Sequence, residues 1–399
     1  MNILQMNKLT VKDVPLCGKK VLVRCDFNVP QDTSLAITDD TRIRASLPTI
    51  NYILEKQPAQ IILMSHLGRP DGQPVAKYSL KPVQERLEQL LKQKVKMLSD
   101  CIGQGIKDEI AASNEKIVLL ENLRFHAEEE KNDAAFSKAL ASVADIYVND
   151  AFGTAHRAHA STEGVAHYLT SVSGLLLEKE ITYLGAALEK PKKPFIVILG
   201  GSKVSDKIGV IENLLPKADA IIIGGGMAYT FLKAQGKKIG NSKLEKEKLE
   251  IAKEILVKAQ KQNVTLSLPI DNVITDKIEP GSTVQITGED IPDGFIGVDI
   301  GPKTIQAYCD SLKKAQTVVW NGPLGIFEID AFANGTKEIA KCLAGLKATT
   351  IIGGGDTAAA VAKFGLENKM THISTGGGAS LEFLEGKTLP GIAALTDKK

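Results

Sequence analysis

Two kinds of residue suited to holding phosphate are spread along this chain of 399 residues. In the second half, four short apolar runs end in glycine clusters, PFIVILGG, AIIIGGG, TTIIGGGDT and THISTGGGAS, each reading as a strand that turns into a helix. Glycine permits positive φ and leaves no Cβ in a ligand's way. The helix that follows offers unpaired N–H groups and the positive end of its dipole to an anion. In the first half the corresponding places carry side chains instead. Asp26 and Asn28 stand in RCDFNVP, His66 and Arg69 in SHLGRP, Arg124 and His126 in ENLRFH, and His156, Arg157 and His159 in FGTAHRAH. Arg42 and Arg44 sit in what reads as a further polar loop, DDTRIR. Converging guanidinium forks grip phosphate or carboxylate oxygens with paired hydrogen bonds, so a small polyanion is the expected guest. A single arginine is as readily a solvated surface residue; it is their recurrence on successive strand ends that argues for a site. His156 and His159, at i and i+3, lack the acidic neighbour of an HExxH zinc motif.

The second half adds Lys203 and Lys207 in GGSKVSDK. On a helix this i, i+4 pair shares one face, where an anion between the two charges, or plain solvation, relieves their repulsion. Asp356 and Thr357, in GGGDT, are placed to hold Mg²⁺ and a phosphate oxygen at a helix amino terminus, and Asp356 equally suits an N-cap. Asn321 in WNGP and Glu328 in GIFEID are further candidates, the latter to accept ribose hydroxyls. Two apparent motifs fail. Leu381 occupies the place of the first glycine ahead of Gly386-Lys387-Thr388, so there is no Walker A loop. Gly353-x-Gly355-x-x-Ala358 fits a loose dinucleotide fingerprint, but the next strand, His372-Ile373-Ser374-Thr375, supplies no acid for a ribose 2′-hydroxyl, which argues against a nicotinamide enzyme.

The elements that must position these groups alternate in type. β-branched runs at 19–25, 60–64, 116–120 and 145–148 are interleaved with helical patterns at 83–93 and 133–142, the signature of βαβ units and a parallel sheet. The rhythm resumes after Pro191 and Pro194, with strands expected at 195–199, 220–223, 317–320 and 349–352. A hairpin-like stretch at 271–301 interrupts it. Two prolines in four residues stop a helix, so the segment before them reads as a helix joining two domains. The chain is 43% hydrophobic and 24% charged, enough for two cores. A net charge of +2 without a basic block argues against nonspecific nucleic-acid binding. Five scattered cysteines (Cys17, Cys25, Cys101, Cys309, Cys342) with no CxxC pair imply free thiols and a reducing compartment. No apolar stretch approaches the length of a signal peptide core or a membrane span, so a cytoplasmic protein is expected.

Taken in order, DFNVP, SHLGRP, ENLRFH, DAFGTAHRAHAST, GGSKVSDK, IIIGGGMAYTF, WNGPLGIFE, IIGGGDT and STGGGASLEFLEGK span nearly the whole chain and resemble the phosphoglycerate kinase family. The resemblance implies an α/β protein of two Rossmann-like domains, each a parallel sheet flanked by helices. An acid-binding domain at 1–172, a connecting helix and hinge at 173–190, a nucleotide domain at 191–380 and a returning segment at 381–399 are expected. It implies reversible transfer of the acyl phosphate of 1,3-bisphosphoglycerate to ADP, giving 3-phosphoglycerate and ATP, with Mg²⁺. A monomer with no nucleic-acid or membrane partner is expected. By matching string, Asp26 and Asn28 should hold the hydroxyacid, and His66, Arg69, Arg124 and Arg157 the phosphate that stays. Arg42 and, from the other domain, Lys203 should reach the phosphoryl group in flight. Gly376, Gly377 and Gly378 should present a helix amino terminus to that group. Lys207, Gly201, Gly353, Gly354, Gly355, Asp356 and Thr357 should serve the nucleotide phosphates, with Asp356 on the metal. Gly224, Gly225, Gly301 and Pro302 should line the adenine slot, and Asn321 and Glu328 should touch the nucleotide. Ser374 and Thr375 are hinge candidates. Phe295–Asp299 and Gly174–Leu177 depart from the commonest family pattern, away from the strings that carry chemistry. The alternatives are a catalytically silent phosphometabolite-binding protein of the same fold and a kinase for another acyl phosphate.

Overall fold

Apolar runs become strands wherever both faces are covered, and this chain has two such sheets. A computed structural model describes residues 7–398. In the first unit the strands are β1 (Lys20–Arg24), β2 (Gln60–Met64), β3 (Val95–Met97), β4 (Ile117–Leu119), β5 (Ile146–Asn149) and β6 (Thr170–Ser173). They pair in the order β3-β4-β2-β1-β5-β6, every pairing parallel. Val21, Val23, Ile61, Leu63, Ile117 and Val148 form the core with Ile43, Ile50 and Ile53 of the helix Thr41–Glu55. Coverage on both faces explains why these strands read as continuous apolar runs and not as alternating ones.

In the second unit β7 (Phe195–Leu199), β8 (Ala220–Ile223), β9 (Thr265–Ser267), β13 (Thr317–Asn321), β14 (Thr349–Gly353) and β15 (His372–Ile373) form another parallel sheet, ordered β15-β14-β13-β7-β8-β9. The stretch at 271–301 is a separate antiparallel sheet of β10 (Asn272–Thr275), β11 (Gln285–Thr287) and β12 (Ile296–Ile300). The helix Leu175–Glu189 starts in the first unit and ends in the second, the division falling after Thr182. Residues from Thr388 onward belong to the first unit. There Leu9 N–H donates to Thr396 O at 2.8 Å, Thr396 N–H to Ser171 O at 2.9 Å, and Asn149 Nδ2 to Gly391 O at 3.0 Å.

The cysteines correct one expectation. Cys17, Cys25 and Cys101 are free, but Cys309 and Cys342 form a disulfide with their Cα atoms 5.9 Å apart. They lie on the helices Pro302–Leu312 and Asn334–Ala344, which pack on the same apolar cluster. Sequence spacing does not reveal that adjacency. No helix among the described residues is long and apolar enough to cross a membrane.

Candidate active site

The carboxyl ends of β4, β2, β1 and β5 are neighbours in the first sheet, so the loops carrying Arg124, His66 with Arg69, Asp26 with Asn28, and Arg157 form one continuous edge. Arg42 joins them from a helix. Only the start of DDTRIR is a loop: Thr41–Arg44 form the first turn of the helix Thr41–Glu55, and just ahead of it the Asp39 carboxylate accepts the Thr41 N–H at 2.8 Å. From there Arg42 Nη1 donates to Asn28 O at 3.0 Å and lies 3.2 Å from Asp26 Oδ2. Arg44 turns away to Asp40 at 2.8 Å. Asn28 Oδ1 accepts the Gly68 N–H at 2.9 Å, while Arg124 Nη1 donates to Gly68 O at 2.9 Å, so one glycine ties two candidate ligands together. Arg124 Nε is buried without a hydrogen bond among the described residues, Glu130 Oε1 lying 3.1 Å away. Arg69 and Arg157 are exposed, and Arg157 Nε donates to His156 Nε2 at 3.2 Å.

At the centre stands a residue that a strand-like run conceals. Arg24, the last residue of KVLVR, is buried. Its Nε donates to Ser161 Oγ at 2.8 Å and its Nη2 lies 3.1 Å from His66 Nδ1. Ser161 in turn donates to the buried Glu129 carboxylate at 2.6 Å; burial raises that carboxyl's pKa while Arg24 opposes the rise. Burial, and then the charges of Arg24, Arg124 and Arg42, hold His66 well below the usual imidazole range. Burial, and then the charges of Arg124, Arg24 and Arg157, bring His159 down to about 4. Both rings are therefore neutral at pH 7. Arginine only donates, so His66 Nδ1 accepts and Nε2 carries the proton. His66 is thus an uncharged hydrogen-bond donor among guanidinium groups.

In the second unit the ends of β14, β13, β7 and β8 are likewise adjacent. The four glycine clusters there divide into two kinds. Gly200 and Gly201 donate their N–H groups to Asn321 O (3.0 Å) and Pro323 O (2.9 Å), and Gly225 donates to Leu324 O (3.0 Å). These amides are not free to cradle an anion, so Gly201 can meet a nucleotide only as part of the cleft wall. The glycines are needed for close packing of the turns: a Cβ on Gly225, where φ is +66°, would lie 2.7 Å from Gly201 O. On Gly224 it would lie 2.6 Å from the Leu324 side chain.

The third cluster is open. Gly354 has φ +86° and caps the helix Gly355–Lys363, whose first turn contains Asp356 and Thr357. Thr357 is buried with its hydroxyl accepting Gly322 N–H at 2.7 Å. Gly353 and Gly354 face Asn321 Nδ2, the nearest atom to a Cβ built on either. That Nδ2 is buried with no hydrogen-bond partner among the described residues. Asn321 Oδ1 meanwhile accepts from Lys207 Nζ. In the fourth cluster Gly376 N–H donates to Ser374 Oγ at 3.2 Å, ahead of Gly377 (φ +52°) and the short helix from Gly378.

Lys203 and Lys207 do not share a helix face. The helix begins only at Ile208, after a turn, because the Glu245 carboxylate accepts the Val204 and Ser205 N–H groups and the Ser205 hydroxyl. Lys203 is exposed there. Lys207 is half-buried; burial lowers its pKa, and Asp206, Asp356 and Glu385 counter the shift.

A cleft of about 350 Å³ is bordered by Gly201, Gly225, Tyr229, Ile296, Glu328 and Asp356. Gly301 and Pro302 do not line it. They open the helix Pro302–Leu312, and the Asp271 carboxylate that accepts Lys303 and Thr304 N–H groups at 2.9 and 2.7 Å occupies the space beside Gly301. The departure at 295–299 does reach the cleft, through Ile296, Gly297 and Val298. A larger cavity, about 670 Å³, lies between residues 34–40 and the helix Lys81–Leu91.

Two parallel α/β units, one edged with guanidinium and imidazole groups and the other with glycine turns closing on a lysine and an acid, place the protein among enzymes that handle small phosphorylated compounds. The family model for phosphoglycerate kinase matches residues 11–387. A phosphoglycerate kinase from Koribacter versatilis is 57% identical over 405 residues, covering 98% of this chain and 100% of its own; one from Synechococcus elongatus is 57% identical over 395 residues, covering 98% of each. The solved phosphoglycerate kinase of Coxiella burnetii superposes with a TM-score of 0.89 at 42% identity, covering 97% of this chain and 98% of its own. This chain belongs to the phosphoglycerate kinase family.

Proposed function

We propose that the protein catalyses the reversible, Mg²⁺-dependent transfer of the acyl phosphate of 1,3-bisphosphoglycerate to ADP, yielding 3-phosphoglycerate and ATP, as a cytoplasmic monomer. The observation that carries this reading is the unbroken row of Arg124, His66, Arg69, Asp26, Asn28 and Arg157 on four adjacent strand ends, reached by Arg42 from its helix. Arg69, Arg124 and Arg157 hold the retained phosphate, with His66 donating from Nε2 without adding charge. Asp26 and Asn28 take the hydroxyacid. Arg42, paired with Asp26, serves the transferring group.

On the second unit the nucleotide phosphates lie against the first turn of Gly355–Lys363, where Asn321 Nδ2 supplies the missing acceptor's donor and Lys207 a positive charge. Lys203 serves the transferring group, together with Gly376, Gly377 and Gly378. Glu328 and the cleft beside Gly224 and Gly225 receive the nucleoside. Asp356, exposed at the cleft and in no ion pair among the described residues, has the hard oxygen donor that Mg²⁺ prefers and would hold it. When bound, the ion would neutralise phosphate charge. No nucleophilic side chain and no strong base are needed, because the accepting oxygen is already ionised; positioning and charge neutralisation suffice.

A coupled assay of ATP formation from 1,3-bisphosphoglycerate and ADP, with and without Mg²⁺, tests the proposal. Mg²⁺-dependent turnover is expected. Intact 3-phosphoglycerate binding without turnover would instead favour a silent binding protein.

A further inference from the structure

His126 closes the string ENLRFH, yet it does not join the arginine edge. Its Nε2 lies 2.6 Å from Asp100 Oδ1. Beside them is the buried thiol of Cys101, and one ligand atom from each of the three residues lies within 4.8 Å of the others. A tetrahedral ion with bonds of about 2.0–2.3 Å holds its donor atoms roughly 3–4 Å apart, close to the spacing of this triangle. We infer that Asp100, Cys101 and His126 form a coordination site for a borderline-soft divalent cation of the zinc or cobalt type, bracing the loops that follow β3 and β4.

Three observations support the assignment. The donor set is mixed: a thiolate and an imidazole with one carboxylate suit zinc or cobalt and are a poor match for magnesium. The backbone already holds the donors in place, Glu121 N–H donating to Asp100 O at 3.3 Å and His126 N–H to Leu123 O at 3.2 Å, while Phe136 flanks the His126 ring at 5.4 Å between centroids. The site is also half open. Cys101 is 1% exposed, whereas the Asp100 and His126 side chains are 45% and 26% exposed, which leaves a side where water can complete four-coordination.

The binding step balances simply. The ion sheds water, the Cys101 thiol proton leaves to solvent as the Sγ–metal bond forms, and His126 breaks its bond to Asp100 and ligates through Nε2 with its proton on Nδ1. Because Arg124 lies two residues before His126, a loaded site stiffens the loop that carries that guanidinium.

The test uses the untagged full-length protein titrated with Co²⁺ in the presence of excess Mg²⁺. One Co²⁺ per chain is expected, with a thiolate-to-cobalt charge-transfer band in the ultraviolet that Zn²⁺ removes and Mg²⁺ does not. Cys101→Ser and His126→Gln should each weaken Co²⁺ binding at least tenfold, the lower end of losses on altering a metal's environment. Cys17→Ser, at the exposed thiol, should change nothing. His126→Gln alters a partly exposed side chain, and unchanged circular dichroism will show that it is folded. The inference is overturned if no saturable band forms, if the band survives Cys101→Ser, or if Cys17→Ser abolishes it. None of these outcomes depends on phosphoryl transfer.

Discussion

Replacing Asp150 with asparagine should make the protein's stability less sensitive to pH, by an amount the structure sets. Asp150 follows β5 and is fully buried. Its Oδ1 accepts the Leu176 and Leu177 N–H groups at 2.9 and 3.3 Å, the first turn of Leu175–Glu189. Burial pushes the carboxyl up to about 7, against the hydrogen bonds from Thr49, Leu177 and Leu176 that pull it down. In the unfolded chain it titrates near 3.9. Below that value both states are protonated and the group does not bear on stability. Between the two values the unfolded chain has lost its proton and the native state has not, so stability falls as pH rises toward 7 and then levels off. A difference of roughly 3 pKa units corresponds to about 4 kcal/mol in all, of which about 1.5 kcal/mol has already been lost near pH 5. Asparagine does not titrate. The stability of Asp150→Asn relative to the parent should therefore improve by about 2.5 kcal/mol between pH 5 and pH 8, whatever the fixed effect of the amide. Urea unfolding followed by far-ultraviolet circular dichroism at the two pH values measures this. Trp320, the single tryptophan, lies in the second unit, and its fluorescence separates the two units' transitions. A parent-to-variant difference that is the same at both pH values would refute the argument.

Arg42→Ala should lower kcat by about 10³ with a far smaller change in KM, as expected when a transition-state arginine is lost; unchanged turnover would remove Arg42 from the reaction. Arg69→Ala should weaken 3-phosphoglycerate binding and leave ADP affinity intact, and calorimetry giving the reverse would exchange the roles of the two units. Asn321→Asp puts a carboxylate where a buried donor faces Gly353 and Gly354, so ADP affinity should fall by about tenfold or more, one lost charge-assisted hydrogen bond being worth roughly 1.5–3 kcal/mol. An ADP Kd within a factor of two of the parent's would show that nothing anionic binds there.

The alternation of strand and helix was legible because these strands are covered on both faces, and β2, β7 and β8 begin and end where their apolar runs do. The edge strands β3, β6 and β9 were not legible. They are three or four residues long and only partly apolar, VKM, TSVS and TLS, so no run stands out. Of the arginine edge, the residues in punctuated loops could be read from sequence, whereas Arg24 could not. Its place in KVLVR looks like the end of a strand, and only the fold brings Ser161, Glu129 and His66 around it. The glycine clusters were readable as turns but not as to purpose. Whether an amide is free depends on which carbonyl stands opposite, and Asn321 and Pro323 lie more than a hundred residues from Gly200 and Gly201. Likewise, Glu245 keeps Lys203 and Lys207 out of the helix from a place that no local pattern indicates.

The return of the last residues to the first unit has a consequence for how the protein is made. Leu9 waits for Thr396, and Asn149 for Gly391. Synthesis delivers these partners only after the whole of residues 183–387 has been translated. The second unit is contiguous in the chain and can close as it emerges from the ribosome. The unit that is begun first is therefore completed last, and a nascent chain stalled between Thr182 and Thr388 presents the arginine edge on strand ends that still lack their final partner.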